Sequence, residues 1–327
     1  MIRRRSLTVE PLAGFTNWIS THDPPLMHRA DAIAYPSHMC GRYAMTALKE
    51  EIIADFGISD QTAIARERSL PADWNIAPTK EIYLIKGDEN QRTLDIASWG
   101  LIAPWSKTAN DAARSQSMAI NARIETVHEK PTFRDSFKVR RCLVPASGYY
   151  EWATELGEYP RKQPIFISPK EGHFLAFAGI YNYWKSPEVG RAVDHDSSSS
   201  RSTSIGSSSR DSSSSGTSSP ASTSIGSSHV ENLSTPLQRQ SLAIITREAV
   251  NELAHVHNRM PLFLPADRWQ RWLDRDTPLP EVMDLMRVAE PDQNLRFWPV
   301  SSRVNSIRNN GRELISPIVL GESETLF

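Results

Sequence analysis

The chain has 327 residues, a formal net charge of −1 and 39% hydrophobic residues. It is long enough for one large domain or two modest ones and too nearly neutral to be a generally basic coat for DNA. Its two cysteines, Cys40 and Cys142, are too few for a disulfide-stapled secreted fold or a cysteine-rich zinc site, and no apolar run approaches the roughly 20 residues that a membrane-spanning helix needs.

Taken in chain order, residues 1–38 are rich in Pro, His and Arg and show no helical or strand periodicity, which predicts a disordered extension. The basic start is followed by no apolar segment, against a secretory signal. Residues 47–56 read as a helix, with Thr46 as N-cap and Gly57 as stop. Strand-like runs follow: EIYLIK, TLDIASWGLI, MAINARI, RCLVPASGYYEW and PIFISP. FLAFAGIYNYW and SLAIIT read as two buried strands on either side of a Ser-rich stretch at about 194–234. That stretch repeats STSIGSS at residues 202–208 and 222–228 and has almost nothing to bury, so a disordered insertion at a hairpin tip is expected. Helical patterns over residues 247–256, 266–274 and 279–289 and a strand RFWPVSSRV complete the chain. This mixture predicts an α+β domain around a curved antiparallel sheet.

Several short motifs carry chemistry. Cys40 lies in MCGRY, where Met39 precedes a small residue, the context for initiator removal. An N-terminal cysteine has an amine of pKa about 8 beside a thiol of about 8.5. The pair suits an aldehyde: the amine forms a Schiff base and the thiol closes a thiazolidine. A lone cysteine is otherwise a buried structural residue. Glu151 sits in the aromatic strand GYYEW, where a carboxylate is costly unless paired or functional, and where apolar walls would suit it to shuttle protons. His257, in HVHNRMP, is a candidate general acid or base, or a structural loop histidine. His255 two residues earlier raises metal binding, which no further cluster supports. In INARIET, Asn121, Arg123 and Glu125 alternate onto one strand face. In WNIAPT and SWGLIAPW, Pro78 and Trp105 offer flat apolar faces to nucleobases, or ordinary packing.

In the order CGRY, WNIAPT, WGLIAPW, INARIET, RRCLVPASGYYEW, FAGIYNYW, AIITREA, HNRMPLFL and WPVSSRVN, the sequence resembles the SOS response-associated peptidase (SRAP) family, the abasic site processing proteins, from Met39 to about Ile318. The resemblance implies a single SRAP-like α+β domain over residues 39–320, with a barrel-like antiparallel β core, peripheral helices and a shallow positive groove for single-stranded DNA. Cys40 would trap the ring-opened aldehyde of an abasic sugar as a thiazolidine, protecting the lesion during the DNA damage response. Asn121 would position the reacting sugar and amine, Glu151 would assist proton transfer, and His257 would promote ring opening and Schiff-base formation. Arg42 and Arg123 would hold phosphates, Pro78 and Trp105 would pack against flanking bases, and Thr246 would line the same pocket. The resemblance implies no metal and no organic cofactor. The implied partner is single-stranded DNA with abasic sites, bound by a monomer in a bacterial cytoplasm, without excluding a nucleus.

Two features depart from the family pattern. Family members begin at the Met-Cys pair, whereas 38 residues precede Met39 here. A peptide bond at the Cys40 nitrogen would remove the amine, so translation starting at Met39 is expected, or cleavage of the extension. The Ser-rich insertion is expected to leave the site intact. Two other readings predict different outcomes. A cysteine peptidase using Cys40 and His257 would cut before Cys40, and a non-covalent DNA-binding module would keep its affinity in Cys40→Ala.

Overall fold

The computed structural model describes residues 40–87, 91–154, 159–185, 238–288 and 293–320. The expected N-terminal extension and the Ser-rich insertion lie outside them. In chain order the elements are β1 (Arg42–Met45), α1 (Lys49–Asp55), β2 (Asp60–Gln61), α2 (Ala63–Glu67), β3 (Asp73–Ile76), β4 (Glu81–Gly87) and β5 (Arg92–Trp99). Next come α3 (Ala109–Met118), β6 (Asn121–Arg123), α4 (Pro131–Val139), β7 (Arg141–Ala146), β8 (Gly148–Trp152), β9 (Pro164–Pro169) and β10 (Leu175–Lys185). The last are β11 (Gln238–Glu248), α5 (Asn251–Val256), β12 (Arg259–Pro261), α6 (Ala266–Leu273), α7 (Leu279–Leu285) and β13 (Leu295–Pro299).

Five of these strands close on themselves. The ring runs β11–β10–β7–β4–β5 and returns to β11. Four seams are antiparallel, but the closing one is parallel, with Ser241 opposite Ser98 and Leu242 opposite Trp99. The α+β class and the barrel-like core are thus as expected, with one parallel seam in place of a wholly antiparallel core. Strands β10 and β11 pair along their length down to Lys185 opposite Gln238, so the two runs flanking the insertion are the arms of one hairpin.

A second, antiparallel sheet has the order β13–β9–β8–β1–β3. Its strands alternate between two faces, as the period of two requires. Tyr43 and Tyr149 turn toward the barrel and meet Phe177 edge-on at 6.0 Å each, and Tyr43 meets Trp99 at 5.5 Å. Ala44, Tyr150 and Phe166 turn the other way, onto Val300 and Val304 of the C-terminal segment. The run read as one strand, RCLVPASGYYEW, is split at Ser147 between the two sheets. Gly148 opens the second half because a Cβ there would stand 2.4 Å from Phe166 Cζ and 2.6 Å from the Ile167 carbonyl oxygen.

Other boundaries differ from the sequence reading for local reasons. Thr46 does not cap α1; its N–H and hydroxyl both reach Ser147 Oγ, and the helix starts after Leu48, whose N–H donates to Glu51. Residues 247–248 belong to β11 rather than to a helix, because Arg247 and Glu248 pair with Met260 and Arg259 of β12. Met118 ends α3 instead of opening a strand. α7 stops at Leu285 rather than near residue 289.

Arg141 ties two helix ends together. Its guanidinium donates to the carbonyls of Phe137 and Lys138 at the end of α4 and of Trp272 and Asp274 at the end of α6. Unpaired carbonyls at a helix C-terminus attract a cation, and this one is 3% exposed with burial lowering its pKa to about 10. Arg141→Met orphans the Phe137, Lys138 and Trp272 carbonyls and leaves the Asp274 carbonyl only the Thr277 N–H, so chemical denaturation is expected to show a loss of about 3 kcal/mol or more. A loss under about 1 kcal/mol would mean that water caps these ends equally well.

Candidate active site

Cys40 stands two residues before the start of β1 and is 5% exposed. Its backbone N–H donates to Glu151 Oε1 at 2.9 Å, and Asn121 Nδ2 donates to its carbonyl at 3.3 Å. Its φ is +26°, in the left-handed region that non-glycine residues occupy at a cost of about 1–3 kcal/mol. The two hydrogen bonds hold the residue there, one from each side of the site.

Glu151 reaches this position through strand alternation. In β8 it shares a face with Tyr149, so it points toward the barrel, and it is 4% exposed. Its second oxygen lies 3.9 Å from His257 Nδ1. That distance is too long for a hydrogen bond, and the same nitrogen accepts the Arg259 backbone N–H at 3.1 Å. The neutral His257 ring therefore carries its proton on Nε2, while Nδ1 stays bound to the main chain.

The electrostatics follow from burial. Burial raises the Glu151 carboxyl above its ordinary range, against the opposing pull of His257 and of its hydrogen bonds with Cys40. Burial also raises the Cys40 thiol, helped by the Glu151 charge and by the thiol donating to Glu151, while Arg259 opposes. A carboxyl with a raised pKa, hydrogen-bonded to a cysteine nitrogen and next to a histidine, is equipped to accept and return protons at that nitrogen and sulfur.

Three adjacent strands supply the other wall. β11 pairs with β6, Ile244 opposite Asn121 and Thr246 opposite Arg123, and with β12, Thr246 opposite Pro261. Asn121, on β6, thereby comes to Cys40. Thr246 is fully buried, and its carbonyl accepts from Arg259 Nη2 at 2.8 Å, so its main chain fastens Arg259. Arg259 also grips Glu125 with both Nη atoms, at 2.6 and 3.0 Å. The sequence reading gave neither Arg259 nor Glu125 a role. Both lie inside singled-out motifs, HNRMP and INARIET, but their partnership spans 134 positions and leaves no local pattern.

The residues expected to touch DNA are not all displayed. Arg123 is exposed, and Trp105 is 55% exposed. Pro78 is buried, so its ring presents no face to a base. Arg42 pairs with Tyr150 and shares the sheet face opposite to Glu151. There its guanidinium donates to Asn75 Oδ1 at 2.6 Å and to the carbonyls of Val304 and Asn305 at 2.8 and 3.2 Å, and it lies over the Trp152 ring. It clamps the C-terminal segment where a phosphate contact was expected. Among the described residues no group of three or more His, Cys, Asp or Glu side chains is placed to hold a metal ion, and no helix is long and apolar enough to cross a membrane.

A family model described as SOS response associated peptidase (SRAP) matches residues 39–212 and 223–307. The chain is 29% identical over 277 residues to abasic site processing protein YoqW of Bacillus subtilis (strain 168), covering 85% of this chain and 99% of that one. It is also 29% identical over 255 residues to abasic site processing protein HMCES of Gallus gallus, covering 72% of this chain and 60% of that one. A crystal structure of a protein from Bacteroides thetaiotaomicron has a TM-score of 0.63 at 19% identity, covering 86% of this chain and 100% of that chain. A second, from Bordetella bronchiseptica, has a TM-score of 0.54 at 18% identity, covering 80% and 100%. These two likenesses concern the fold.

Proposed function

Because the chain belongs to the SOS response associated peptidase (SRAP) family, whose model matches most of its length, we propose that it recognises abasic sites in single-stranded DNA and captures them covalently through Cys40. Relatives named abasic site processing proteins support the lesion as substrate. The observation that carries the chemistry is the Cys40 nitrogen at 2.9 Å from a buried carboxylate oxygen.

The proposed reaction uses that nitrogen as a free amine. It attacks the aldehyde carbon of the ring-opened abasic sugar, and Glu151 takes the proton that the amine loses. Loss of water gives a Schiff base, for which His257 Nε2–H supplies a proton to the departing oxygen. The Cys40 sulfur then adds to the imine carbon while its proton goes to the nitrogen. The product is a thiazolidine, with one water released overall. Asn121 holds the Cys40 carbonyl and so orients both nucleophiles.

In the full chain the Cys40 nitrogen is an amide, which cannot form this imine. The active form is therefore proposed to begin at Cys40, as one domain over residues 39–320 less the initiator Met. Arg123 is proposed to meet a phosphate and Trp105 to stack on a neighbouring base. Arg42 acts indirectly, by holding the C-terminal segment. The protein is proposed to work as a monomer without metal or organic cofactor. Lyase or peptidase turnover would be a second activity of the same site, and a cytoplasmic or nucleoid location follows from the DNA substrate.

The test is a labelled single strand carrying one abasic site, mixed with the form that begins at Cys40 and run on a denaturing gel. A retarded band with the abasic strand, none with the intact strand, and none with Cys40→Ala is expected. Retardation that appears only on native gels and survives Cys40→Ala would replace covalent capture with simple binding.

A further inference from the structure

The parallel seam that closes the barrel is only two residue pairs long, Ser98 with Ser241 and Trp99 with Leu242. Ahead of these pairs the two strands part. A cleft of about 560 Å³ opens there, between Ile96 and Ala97 of β5 and Gln238, Arg239 and Gln240 of β11, a size within the range of small-molecule sites. None of Cys40, Glu151 and His257 lines it. Gln240 precedes Ile244, the partner of Asn121, on the same strand, and the strand rise puts about 13 Å between them.

The cleft holds polar groups that the fold leaves unused. Gln240 Nε2 is buried and makes no hydrogen bond. Gln116 enters from α3 and is 8% exposed, yet its side-chain amide has no hydrogen-bond partner among the described residues. Gly100, at φ +117°, lets it in, since a Cβ there would stand 2.2 Å from the Gln116 carbonyl oxygen. Native folds leave few buried polar groups unpaired, because each one costs free energy. Thr79, on the rim, holds φ +74°, a strained conformation for a residue with a side chain. Tyr183 is 39% exposed, and its hydroxyl oxygen accepts from Lys86 Nζ at 3.1 Å, which leaves its O–H to donate. Glu81 adds no free negative charge, for Arg68 holds both of its oxygens, at 2.5 and 3.2 Å. The Arg239 guanidinium is exposed and has no carboxylate partner among the described residues.

We propose that this cleft is a nucleotide-binding site, with a base edge on the Gln116 and Gln240 amides and the phosphate at Arg239. A carboxamide presents a donor and an acceptor side by side, which matches the edge of a base. A guanidinium matches a phosphate, and the tyrosine ring offers a face for the base to lie on. That the nucleotide belongs to the strand captured at Cys40, a few positions from the lesion, rests on the proposed function. A free nucleotide has the same chemistry.

The test uses the full chain carrying Cys40→Ala, so covalent capture neither supplies nor masks binding. The side-chain amide signals of Gln116 and Gln240 are identified in nitrogen–proton NMR spectra by their loss in Gln116→Leu and Gln240→Leu. Deoxynucleoside monophosphates are expected to shift both signals saturably. Gln240→Leu and Arg239→Ala are each expected to weaken that binding by about tenfold. The Gln240 Nε2 has no partner to lose, so Gln240→Leu should melt no lower than the parent; if it does not fold, Arg239→Ala carries the test from the surface. An intact single strand without an abasic site that moves the same signals at lower concentration places the captured strand in the cleft, whereas mononucleotides moving them alone assign it to free nucleotides. Inorganic phosphate that shifts both signals as far as a nucleotide does overturns the proposal. So do nucleotides and strand that leave both signals unmoved, a result that leaves capture at Cys40 standing wherever the parent still forms its adduct.

Discussion

Glu151→Gln is expected to slow capture of an abasic aldehyde by about 100-fold or more, the range typical of a lost general acid–base, without weakening the fold. The amide keeps an oxygen for the Cys40 nitrogen, so the geometry survives while proton transfer does not. The stability side follows from the direction of the Glu151 shift. Its folded pKa lies above its unfolded one, so the folded state holds the proton more tightly. That contribution is fully present below the unfolded pKa and is lost as pH rises through the folded pKa. As pH rises through the folded pKa the parent comes to fold around a buried, ionised carboxylate, a cost that Gln does not carry. Thermal melts should show the parent losing stability relative to Glu151→Gln as pH rises, with the gap closing in acid. A slower and also less stable variant would instead make Glu151 a structural residue. The rate profile of the parent should fall off in acid at a pH above the ordinary carboxylate range, and that fall should change in Glu151→Gln.

The second large effect concerns the Cys40 nitrogen. A chain that begins at Cys40 should form the adduct, whereas one retaining Met39 and the preceding residues should form none above background. An amide nitrogen has its lone pair delocalised into the carbonyl and does not build an imine. The thiol alone gives only a reversible hemithioacetal, which denaturing conditions remove. The free amine would occupy the place that the structure gives to the amide N–H, at 2.9 Å from Glu151. That carboxylate then faces an ammonium group that it can deprotonate. Equal adduct formation by the two chains would shift the chemistry from the amine to the thiol.

Much of this arrangement was legible in the sequence where it depended on local pattern. The alternation in GYYEW placed Glu151 among aromatics, and the paired apolar runs on either side of the Ser-rich stretch became the β10–β11 hairpin. What the sequence did not reveal depends on pairings between distant segments. The parallel seam between β5 and β11 joins residues more than 140 positions apart, and no periodicity encodes it. Arg42 shows the same limit at the site. Only its pairing opposite Tyr150 reveals that it lies on the face away from Glu151. The hold of Glu125 on Arg259, and of the Arg259 N–H on His257, likewise appears only in three dimensions. Three helices went unseen for different reasons, α2 because it is only five residues long. α3 is largely polar, with only Ala112 and Gln116 buried, so it has no apolar stripe to read. α4 did carry a signal, Pro131 at its first turn and Phe133 and Phe137 one turn apart on the buried side.

The most direct test of covalent capture at Cys40 is intact mass spectrometry of natively expressed protein, before and after mixing with single-stranded DNA bearing one abasic site. A species that begins at Cys40 and gains the mass of the DNA less one water is the expected result. A chain that retains residues before Cys40 and gains the DNA covalently, or one that begins at Cys40 and gains nothing, would contradict the account.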